Sequence, residues 1–358
     1  MTVRFRSDID RIEPYRPGRS IASVAAEFGL DRVVKLASNE YPDPPFPEVI
    51  EVLTRHLAGL NRYPDDARSL LTPALAEHLA VPPEWIWCGG ASNELALVAA
   101  LAMGGEGTSA VFGWPSFGLY QIGTRTAFAT DIAVPLDEEH RFDLEAMAGA
   151  VRGDTTLVYV CNPNNPSSTH VSGASLTEFI ESLPSHVLVL VDEAYAEFAT
   201  ADDYSSMIPL AVSRENVVVT RTFSKVYGLA GLRIGYAVAH PDLIAAFRRI
   251  QLPFSVGTLA EVAATEALRH QDRVRERAAR NAAAIAYLME ELRKREIEVA
   301  NSQTNFVYAG FGDAAGRVVD GLLRRGFIVR PVAPEGWLRI TAGAPEENEA
   351  LLSAIDRI

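Results

Sequence analysis

Short and nearly continuous apolar runs recur through the middle of the chain. They cover residues 110–112, 156–160, 187–191 and 217–220. A polar or turn-forming residue follows each run within two positions, and segments of helical character lie between the runs. Apolar strands that alternate with helices are typical of a parallel sheet covered on both faces. The pattern therefore predicts an α/β fold with a mostly parallel sheet.

The first ninety residues show weaker periodicity. Residues 1–40 are expected to be irregular apart from a short strand within 33–37, because Pro14 and Pro17 oppose an early helix. Helices are predicted at 48–60 and in a segment that ends at Leu79, followed by a short apolar run at 85–88.

The last hundred residues have a different pattern. Residues 258–295 contain no proline or glycine, which predicts one helix linking two domains. Beyond it, we predict strands at 305–308 and 338–341 and helices at 314–325 and 346–358. These elements predict a smaller α+β domain.

We therefore predict a division into two domains. The large domain covers 40–255, and the small domain combines 1–39 with 256–358. A length of 358 residues suits this arrangement, because single cores rarely grow to that size.

Composition narrows the class of protein. The net charge of -13 argues against a nucleic-acid surface. The N-terminus has no apolar signal region, and no uninterrupted apolar run approaches the ~18 residues that span a bilayer. The two cysteines do not indicate a disulfide framework. We predict a cytoplasmic protein without nucleic-acid or membrane partners.

Polar side chains follow the ends of the predicted strands. They include Asn162, Asp192, Tyr195, Thr222, Ser224 and Lys225. Each residue alone is typical of a turn, a helix cap or ordinary packing. Together they would meet at the carboxyl edge of a parallel sheet, where such folds bind their ligands.

Lys225 is unusual in this chain, because only three of its 33 basic residues are lysines. Arginine is used almost everywhere that a positive charge alone would be sufficient. An amine can lose its proton and attack a carbonyl group, whereas a guanidinium stays protonated. Lys225 is therefore a candidate nucleophile.

A glycine turn at 89–90 leads directly into an apolar helix. The free amide groups at a helix N-terminus can bind phosphate. Many strand-to-helix turns contain glycine without binding anything, so this feature alone is weak.

Three motifs carry a resemblance to a known family. Residues 224–236, SKVYGLAGLRIGY, resemble the lysine motif of fold type I pyridoxal-phosphate aminotransferases, and NPNNP at 162–166 and DEAY at 192–195 match the same superfamily. Four further segments resemble histidinol-phosphate aminotransferases and their aromatic amino acid relatives. These are PYRPG at 14–18, SNE at 38–40, RYPD at 62–65 and WLRITAG at 337–343.

The resemblance implies a fold and a cofactor. The fold is that of aspartate aminotransferase, with a mostly parallel seven-stranded sheet between helices and a smaller α+β domain. The cofactor is pyridoxal 5'-phosphate, and no metal is implied. Lys225 would bind the cofactor covalently and then carry a proton, while Asp192 would keep the pyridine nitrogen protonated.

The other cofactor contacts follow from the same resemblance. Tyr195 and Asn162 would donate hydrogen bonds to the ring oxygen, and Phe117 would stack on the ring. The phosphate would be bound by Arg233, Thr222, Ser224, Ala91 and Ser92. Tyr63 would reach the phosphate in a neighbouring subunit, which implies a homodimer.

Arg339 is implied as the anchor for the anionic end of the substrate, because a guanidinium binds a carboxylate with two hydrogen bonds. Tyr15, Asn39, Arg330 and Asn162 would line the same pocket.

The resemblance leaves several substrates possible. The segments 331–336 and 252–256 favour an aromatic amino acid with 2-oxoglutarate or glutamate as the other partner. Histidinol phosphate is the alternative, and a decarboxylase or a secondary-metabolism transaminase uses the same cofactor motif. A nucleotide-binding protein is disfavoured, because no G-x-G-x-x-G follows a strand.

Overall fold

A computed structural model describes residues 3–7, 9–15 and 17–358. The strands are β1 Val34–Lys35, β2 Ile86–Gly89, β3 Ser109–Trp114, β4 Thr130–Pro135, β5 Thr155–Cys161, β6 Leu188–Asp192, β7 Val217–Thr222, β8 Gly235–Ala239, β9 Glu298–Val299, β10 Phe306–Gly310, β11 Phe327–Ile328, β12 Arg330–Val332 and β13 Trp337–Thr341. The helices are α1 Ile21–Phe28, α2 Pro47–His56, α3 Leu71–Leu79, α4 Ser92–Met103, α5 Leu119–Thr126, α6 Leu144–Ala150, α7 Gly173–Ser182, α8 Ile208–Ser213, α9 Pro241–Arg248, α10 Thr258–Leu268, α11 Gln271–Lys294, α12 Ala315–Arg324 and α13 Pro345–Ile355.

In the described part of the chain, seven strands form the large sheet, in the order β2-β8-β7-β6-β5-β3-β4. Strand β8 runs antiparallel to both neighbours, and the other pairs are parallel. The apolar runs of β5, β6 and β7 are buried along nearly their whole length, as expected for strands covered on both faces. The predicted α/β fold is confirmed, although the apolar runs did not predict β4 and β8.

A second sheet, β12-β13-β10-β9, is antiparallel and packs with α11, α12 and α13 around its own apolar cluster. Strand β1 pairs with β11, which ties the N-terminal part of the chain to this smaller unit. Residues 1–40 are less irregular than predicted, because α1 forms between the Ser20 cap and Gly29, which adopts φ 63°. Among the described residues, no helix has both the length and the apolar character needed to cross a membrane.

The prediction of one helix over 258–295 is wrong. The chain forms α10, which packs on α2 and α3, and then α11, which also contacts the smaller unit. At the break, His270 leaves the helical conformation with φ -108° and ψ 48°. The break lacks the glycine or proline that usually marks a helix end. It instead separates α10, which packs on the large unit, from α11, which also packs on the smaller unit.

Helix α10 contributes Ala260, Ala263 and Ala264 to the same buried cluster as the large sheet. The predicted domain boundary at 255 would separate this helix from the core on which it packs. We therefore propose that the large domain continues through α10 and that the smaller one begins within α11.

The register of the large sheet places the ends of β5 and β6 at one level, two residues before the end of β7. Cys161 at the end of β5 is paired with Asp192 at the end of β6, and Asp192 is paired with Thr220 in β7. Because these strands are parallel, the loops that follow them open at the same edge. This edge faces the smaller unit, where β13 ends.

Candidate active site

A cavity of about 600 Å³ lies at the carboxyl edge of the large sheet, and both units contribute to its walls. It gathers most of the residues singled out in the sequence. The predicted residues that line it are Tyr15, Asn39, Ala91, Ser92, Phe117, Asp192, Tyr195, Thr222, Ser224, Lys225, Arg233 and Arg339. Three predicted residues, Asn162, Arg330 and Tyr63, do not line it.

A larger cavity of about 880 Å³ lies elsewhere, between the segments 137–144, 169–175 and 298–301. Its described lining is rich in carboxylates and contains two histidines, but it has no lysine. The smaller cavity combines an amine, a buried carboxylate and a guanidinium. We therefore take the smaller cavity as the candidate active site.

Lys225 follows β7 and extends its amine into this cavity. Its Nζ lies 3.4 Å from the carbonyl oxygen of Ser38, and 5.7 Å from the ring centre of Tyr195. Burial, followed by the nearby positive charge of Arg339, lowers the pKa of Lys225 to about 8. A larger fraction of this amine is therefore unprotonated near neutral pH than for an exposed lysine.

Asp192 is buried at the end of β6. Its Oδ2 accepts a hydrogen bond of 2.8 Å from the hydroxyl of Tyr120, and Oδ1 accepts one of 3.2 Å from the amide of Ala194. Burial raises the pKa of Asp192, and the Tyr120 hydrogen bond opposes that rise. The sequence analysis missed Tyr120, although its position three residues after Phe117 at the start of α5 was a usable signal.

The amino end of α4 forms one end of the cavity. Ala91, with φ 82°, precedes the helix, and a Cβ atom on Gly235 would lie 2.7 Å from the amide nitrogen of Ser92. Glycine at 235 therefore lets β8 approach the helix start closely. The hydroxyl groups of Thr222 and Ser224 lie 2.9 Å apart at this end.

Arg233 adds a positive charge to the same end of the cavity. Its guanidinium donates to the carbonyl oxygen of Ala230 and to Oδ1 of Asn93, at 2.9 Å and 3.2 Å. Amide groups, hydroxyls and a guanidinium together form a set of hydrogen-bond donors suited to a phosphate group.

Tyr195 is buried beside Lys225, and its hydroxyl oxygen accepts a 2.8 Å hydrogen bond from Nδ2 of Asn39. Asn39 adopts φ 56°, and its Oδ1 accepts from the hydroxyl of Thr341. Burial raises the pKa of Tyr195, so the hydroxyl stays protonated. Asn39 thus connects Tyr195 to the end of β13.

Asn162 lies outside the cavity lining. Both ends of its side-chain amide are hydrogen-bonded to the backbone of Val171, at 3.0 Å and 3.1 Å. Asn165, three residues later in the same NPNNP segment, lines the cavity instead. The sequence could not separate the two, because they share the motif and only the loop conformation distinguishes them.

Arg339 reaches the cavity from β13. One of its nitrogens donates to Oδ1 of Asn165 at 2.6 Å, and another donates to the carbonyl oxygen of Ala37. Its buried Nε has no hydrogen-bond partner among the described residues. Burial lowers the pKa of Arg339 from its ordinary value. A buried guanidinium with a free donor is suited to an anion.

Arg330 lies next to Arg339 across the β12–β13 pair. Its guanidinium lies 5.9 Å from the ring centre of Tyr15, which is itself half exposed. Arg330 is thus close to the site but outside its lining. Arg16, in the predicted segment 14–18, lies outside the described residues.

Tyr63 lies away from the cavity, with 83% of its surface exposed. Its ring stacks on Phe254, with the two ring centres 4.7 Å apart. The prediction that Tyr63 acts in a neighbouring subunit agrees with this exposure but remains a prediction.

The residues of this cavity fit pyridoxal phosphate. Hydrogen-bond donors suited to phosphate lie at one end of the cavity. The buried carboxylate of Asp192 lies at the end of β6, and the amine of Lys225 extends into the same cavity. Phe117 supplies an aromatic ring in the wall, and Arg339 supplies a separate anion anchor. This set of groups can bind a phosphorylated aldehyde covalently and leave room for an anionic substrate.

Known proteins resemble this chain along almost its whole length. The model of the family described as aminotransferase class I and II matches residues 31–355. Histidinol-phosphate aminotransferase 1 from Cupriavidus pinatubonensis is 42% identical over 99% of this chain and 96% of that protein. An aromatic amino acid aminotransferase from Mycobacteroides abscessus is 39% identical over 98% of each.

A solved structure is also closely similar. The histidinol-phosphate aminotransferase from Sinorhizobium meliloti, in complex with pyridoxal-5'-phosphate, superposes with a TM-score of 0.92. It is 28% identical in sequence, and the match covers 100% of this chain and 98% of that one.

Proposed function

The chain belongs to the class I and II aminotransferase family, and we propose that it exchanges amino groups between an aromatic amino acid and 2-oxoglutarate. It is a pyridoxal 5'-phosphate-dependent enzyme. When bound, the cofactor supplies an electron-withdrawing ring that stabilises negative charge at the substrate Cα.

Lys225 has two tasks in this proposal. Its amine would hold the cofactor covalently through the aldehyde carbon, and, once free of that bond, the same amine would move the proton at the substrate Cα. Its lowered pKa suits both tasks, because the unprotonated form must be available near neutral pH. Asp192 holds a proton on the ring nitrogen through its negative charge.

The remaining contacts orient the cofactor. The start of α4 at Ser92, with Thr222, Ser224 and Arg233, would bind the phosphate, and Phe117 would stack on the ring. Tyr195 would donate a hydrogen bond to the ring oxygen. We assign to Asn165 the contact first predicted for Asn162, because Asn165 lines the cavity.

One observation carries the choice of substrate class. Arg339 is the guanidinium at the β13 side of the cavity, and its Nε is a donor without a partner among the described residues. A single fork-shaped cation suits the carboxylate of an amino acid or a 2-oxo acid. Leu119 adds an apolar side chain to the cavity wall, which suits an aromatic substrate side chain.

Histidinol phosphate is the second candidate substrate. Arg330 lies directly opposite Arg339 in the β12–β13 pair, so a second guanidinium is close enough to join a dianionic group. A relative of that name is 42% identical to this chain. A phosphate would benefit from both charges more than a carboxylate would.

The deciding experiment follows the visible absorption of the protein loaded with pyridoxal phosphate. Phenylalanine, tyrosine, histidinol phosphate and glutamate are added separately, and the loss of the visible band is timed. The proposal expects fast loss with the aromatic amino acids and glutamate. A response to histidinol phosphate but not to phenylalanine would favour the second candidate. Release of carbon dioxide without a keto product would indicate a decarboxylase.

We further propose that the active form is a homodimer in the cytoplasm. Tyr63, Leu252 and Phe254 are all exposed, and Tyr63 stacks on Phe254, which gives this face an apolar character suited to a second copy of the chain. In that arrangement, Tyr63 would approach the phosphate of the partner's cofactor. Both cysteines are free and buried, as a reducing compartment allows.

A further inference from the structure

Tyr120 lies outside every motif that identified the site, yet its hydroxyl donates directly to Asp192 at 2.8 Å. We propose that Tyr120 is a positioning residue that holds the Asp192 carboxylate in the orientation and charge state required by the cofactor ring nitrogen. This inference rests on the cofactor placement proposed above.

The surroundings of Tyr120 fix its ring. Its face stacks on Tyr159, with centres 4.7 Å apart and planes at 17°, and its edge meets Phe117 at 5.8 Å and 87°. The Tyr120 amide also donates to the carbonyl oxygen of Phe117 at 3.0 Å. One short segment therefore presents both the ring proposed to stack on the cofactor and the hydroxyl that bonds to Asp192. The two contacts cannot shift independently.

The charge balance at Asp192 gives this hydrogen bond its importance. Burial favours the neutral carboxylic acid, whereas a donor to the carboxylate favours the ionised form. Burial raises the pKa of Tyr120 well above its ordinary value, so its hydroxyl remains a donor. Lys225, Cys161 and Tyr195 are the other titratable groups that interact with Asp192. Of these four side chains, Tyr120 is the one that donates a hydrogen bond to the carboxylate.

Loss of the hydroxyl would make the carboxylate more basic. Asp192 would then compete with the pyridine nitrogen for the proton between them. The ring would lose part of its positive charge and with it part of its ability to withdraw electrons. Tyr120 thus affects the reaction through Asp192 and does not touch the substrate.

The test compares Tyr120→Phe with the matched variant Tyr159→Phe. Both remove one buried phenol oxygen from the same stacked pair. The Tyr159 hydroxyl, however, has no hydrogen-bond partner among the described residues. Each protein is loaded with cofactor labelled with ¹⁵N in the ring, and the nitrogen signal is followed against pH by NMR.

We expect Tyr120→Phe to lower the fraction of ring nitrogen that is protonated at neutral pH, so the ¹⁵N signal moves toward the position of the unprotonated nitrogen. The dissociation constant of the cofactor from the protein should rise at least fivefold, and kcat should fall at least tenfold, with KM changed less than twofold. Tyr159→Phe should keep the wild-type nitrogen signal. Equal nitrogen signals for the two variants would overturn the inference.

A second variant should change the ring nitrogen signal in the opposite direction. This test does not require that the Tyr120→Phe protein folds. Incorporation of 3-fluorotyrosine at position 120 keeps the shape of the ring and makes the hydroxyl a stronger donor. The protonated fraction of the ring nitrogen should then rise above that of the wild type, and an unchanged nitrogen signal would contradict the inference.

Asp192→Asn separates this inference from the proposed function. If Asp192→Asn leaves the nitrogen signal unchanged, the proposed cofactor placement itself fails. If Asp192→Asn shifts the signal while both changes at position 120 leave it unaltered, only the role of Tyr120 is refuted.

Discussion

Single residues in this cavity owe their chemistry to their surroundings. Lys225 is one of three lysines, but its lowered pKa comes from burial and from the charge of Arg339. Burial favours the neutral form of Asp192 as well and so raises its pKa, while hydrogen bonds from Tyr120 and the Ala194 amide oppose that rise. The residue type supplies the functional group, and the cavity tunes it.

The reaction of Lys225 with the cofactor should therefore depend on pH in a shifted range. The unprotonated amine attacks the aldehyde, so the rate should rise with pH and level off above about 8. At pH 7 roughly 10% of such an amine is unprotonated, against about 0.04% for an ordinary lysine. Stopped-flow absorbance after mixing protein with pyridoxal phosphate measures this rate. Lys225→Ala should show no covalent phase, and a midpoint near 10 would contradict the prediction.

Arg339 gives a second prediction at this scale. Arg339→Gln removes the charged hydrogen bonds to a substrate carboxylate, which are worth about 2–3 kcal/mol together. We expect kcat/KM for phenylalanine to fall roughly 30- to 150-fold, while Lys225 still binds the cofactor covalently. Steady-state rates measure the effect.

Arg330→Gln provides the comparison for that result. With an aromatic substrate, the loss in kcat/KM should stay below about fivefold, because Arg330 lies outside the cavity lining. If Arg330→Gln lowers kcat/KM as much as Arg339→Gln does, but only with histidinol phosphate, the second candidate substrate uses both guanidinium groups.

At the scale of elements, the phosphate end depends on the contact between β8 and α4. Strand β8 is the antiparallel member of the large sheet, and its first residue, Gly235, lies against the start of α4. The helix presents its amide groups to the cavity only because the strand backbone comes so close. A side chain at this point would move the two elements apart.

Gly235→Ala should weaken cofactor binding. The new Cβ would lie 2.7 Å from the amide nitrogen of Ser92 and 2.8 Å from the carbonyl oxygen of Arg221, and both are backbone atoms. Such overpacking costs about 1–3 kcal/mol. We expect the cofactor dissociation constant to rise on the order of tenfold, measured by absorbance titration of the cofactor-free protein.

Gly149→Ala is the control for this change. Gly149 lies in α6, and an added Cβ would meet no atom within 4 Å. This variant should bind the cofactor as the wild type does and melt at the same or a slightly higher temperature, since alanine favours a helix. Equal cofactor affinity in both variants would show that the β8–α4 contact does not matter for the phosphate.

At the scale of the whole molecule, the site joins distant parts of the chain. Asn39 and Arg339 come from the smaller unit and its N-terminal connection, whereas Lys225 and Asp192 come from the large sheet. Asn39 connects the two, through its hydrogen bonds to Tyr195 and Thr341. Tyr63 is the residue that would extend this arrangement to a second subunit.

Hybrid dimers test whether Tyr63 acts across the interface. Subunits carrying Lys225→Ala and subunits carrying Tyr63→Phe are combined, and mixed dimers are purified with two different affinity tags. If Tyr63 serves the partner's site, the one site that retains Lys225 also receives an intact Tyr63. That site should bind cofactor with wild-type affinity, whereas the Tyr63→Phe homodimer should bind about tenfold more weakly.

The converse result is equally clear. If the mixed dimer binds cofactor as weakly as the Tyr63→Phe homodimer, Tyr63 acts within its own subunit. A protein that sediments as a monomer under these conditions would exclude any role across an interface.

Local patterns predicted those features that depend on neighbouring residues. Buried β-branched runs identified β5, β6 and β7, because strands covered on both faces need continuous apolar residues. The resemblance at 224–236 gave Lys225 and the cofactor. The same local reasoning failed at 258–295, where packing against two bodies ends one helix and begins another, and at α1.

The amino-acid sequence by itself thus determined the α/β class and the family and predicted Lys225 as the nucleophile, because each depends on patterns within short segments of the chain. Only the tertiary structure decided which asparagine of NPNNP faces the cavity, that Arg330 lies beside Arg339 but outside the cavity lining, and that Tyr120 bonds to Asp192. These relations join residues that are close in space through strand register and loop conformation. Spacing along the chain does not encode them, because a hydrogen bond across 72 positions depends on how the sheet and helices pack.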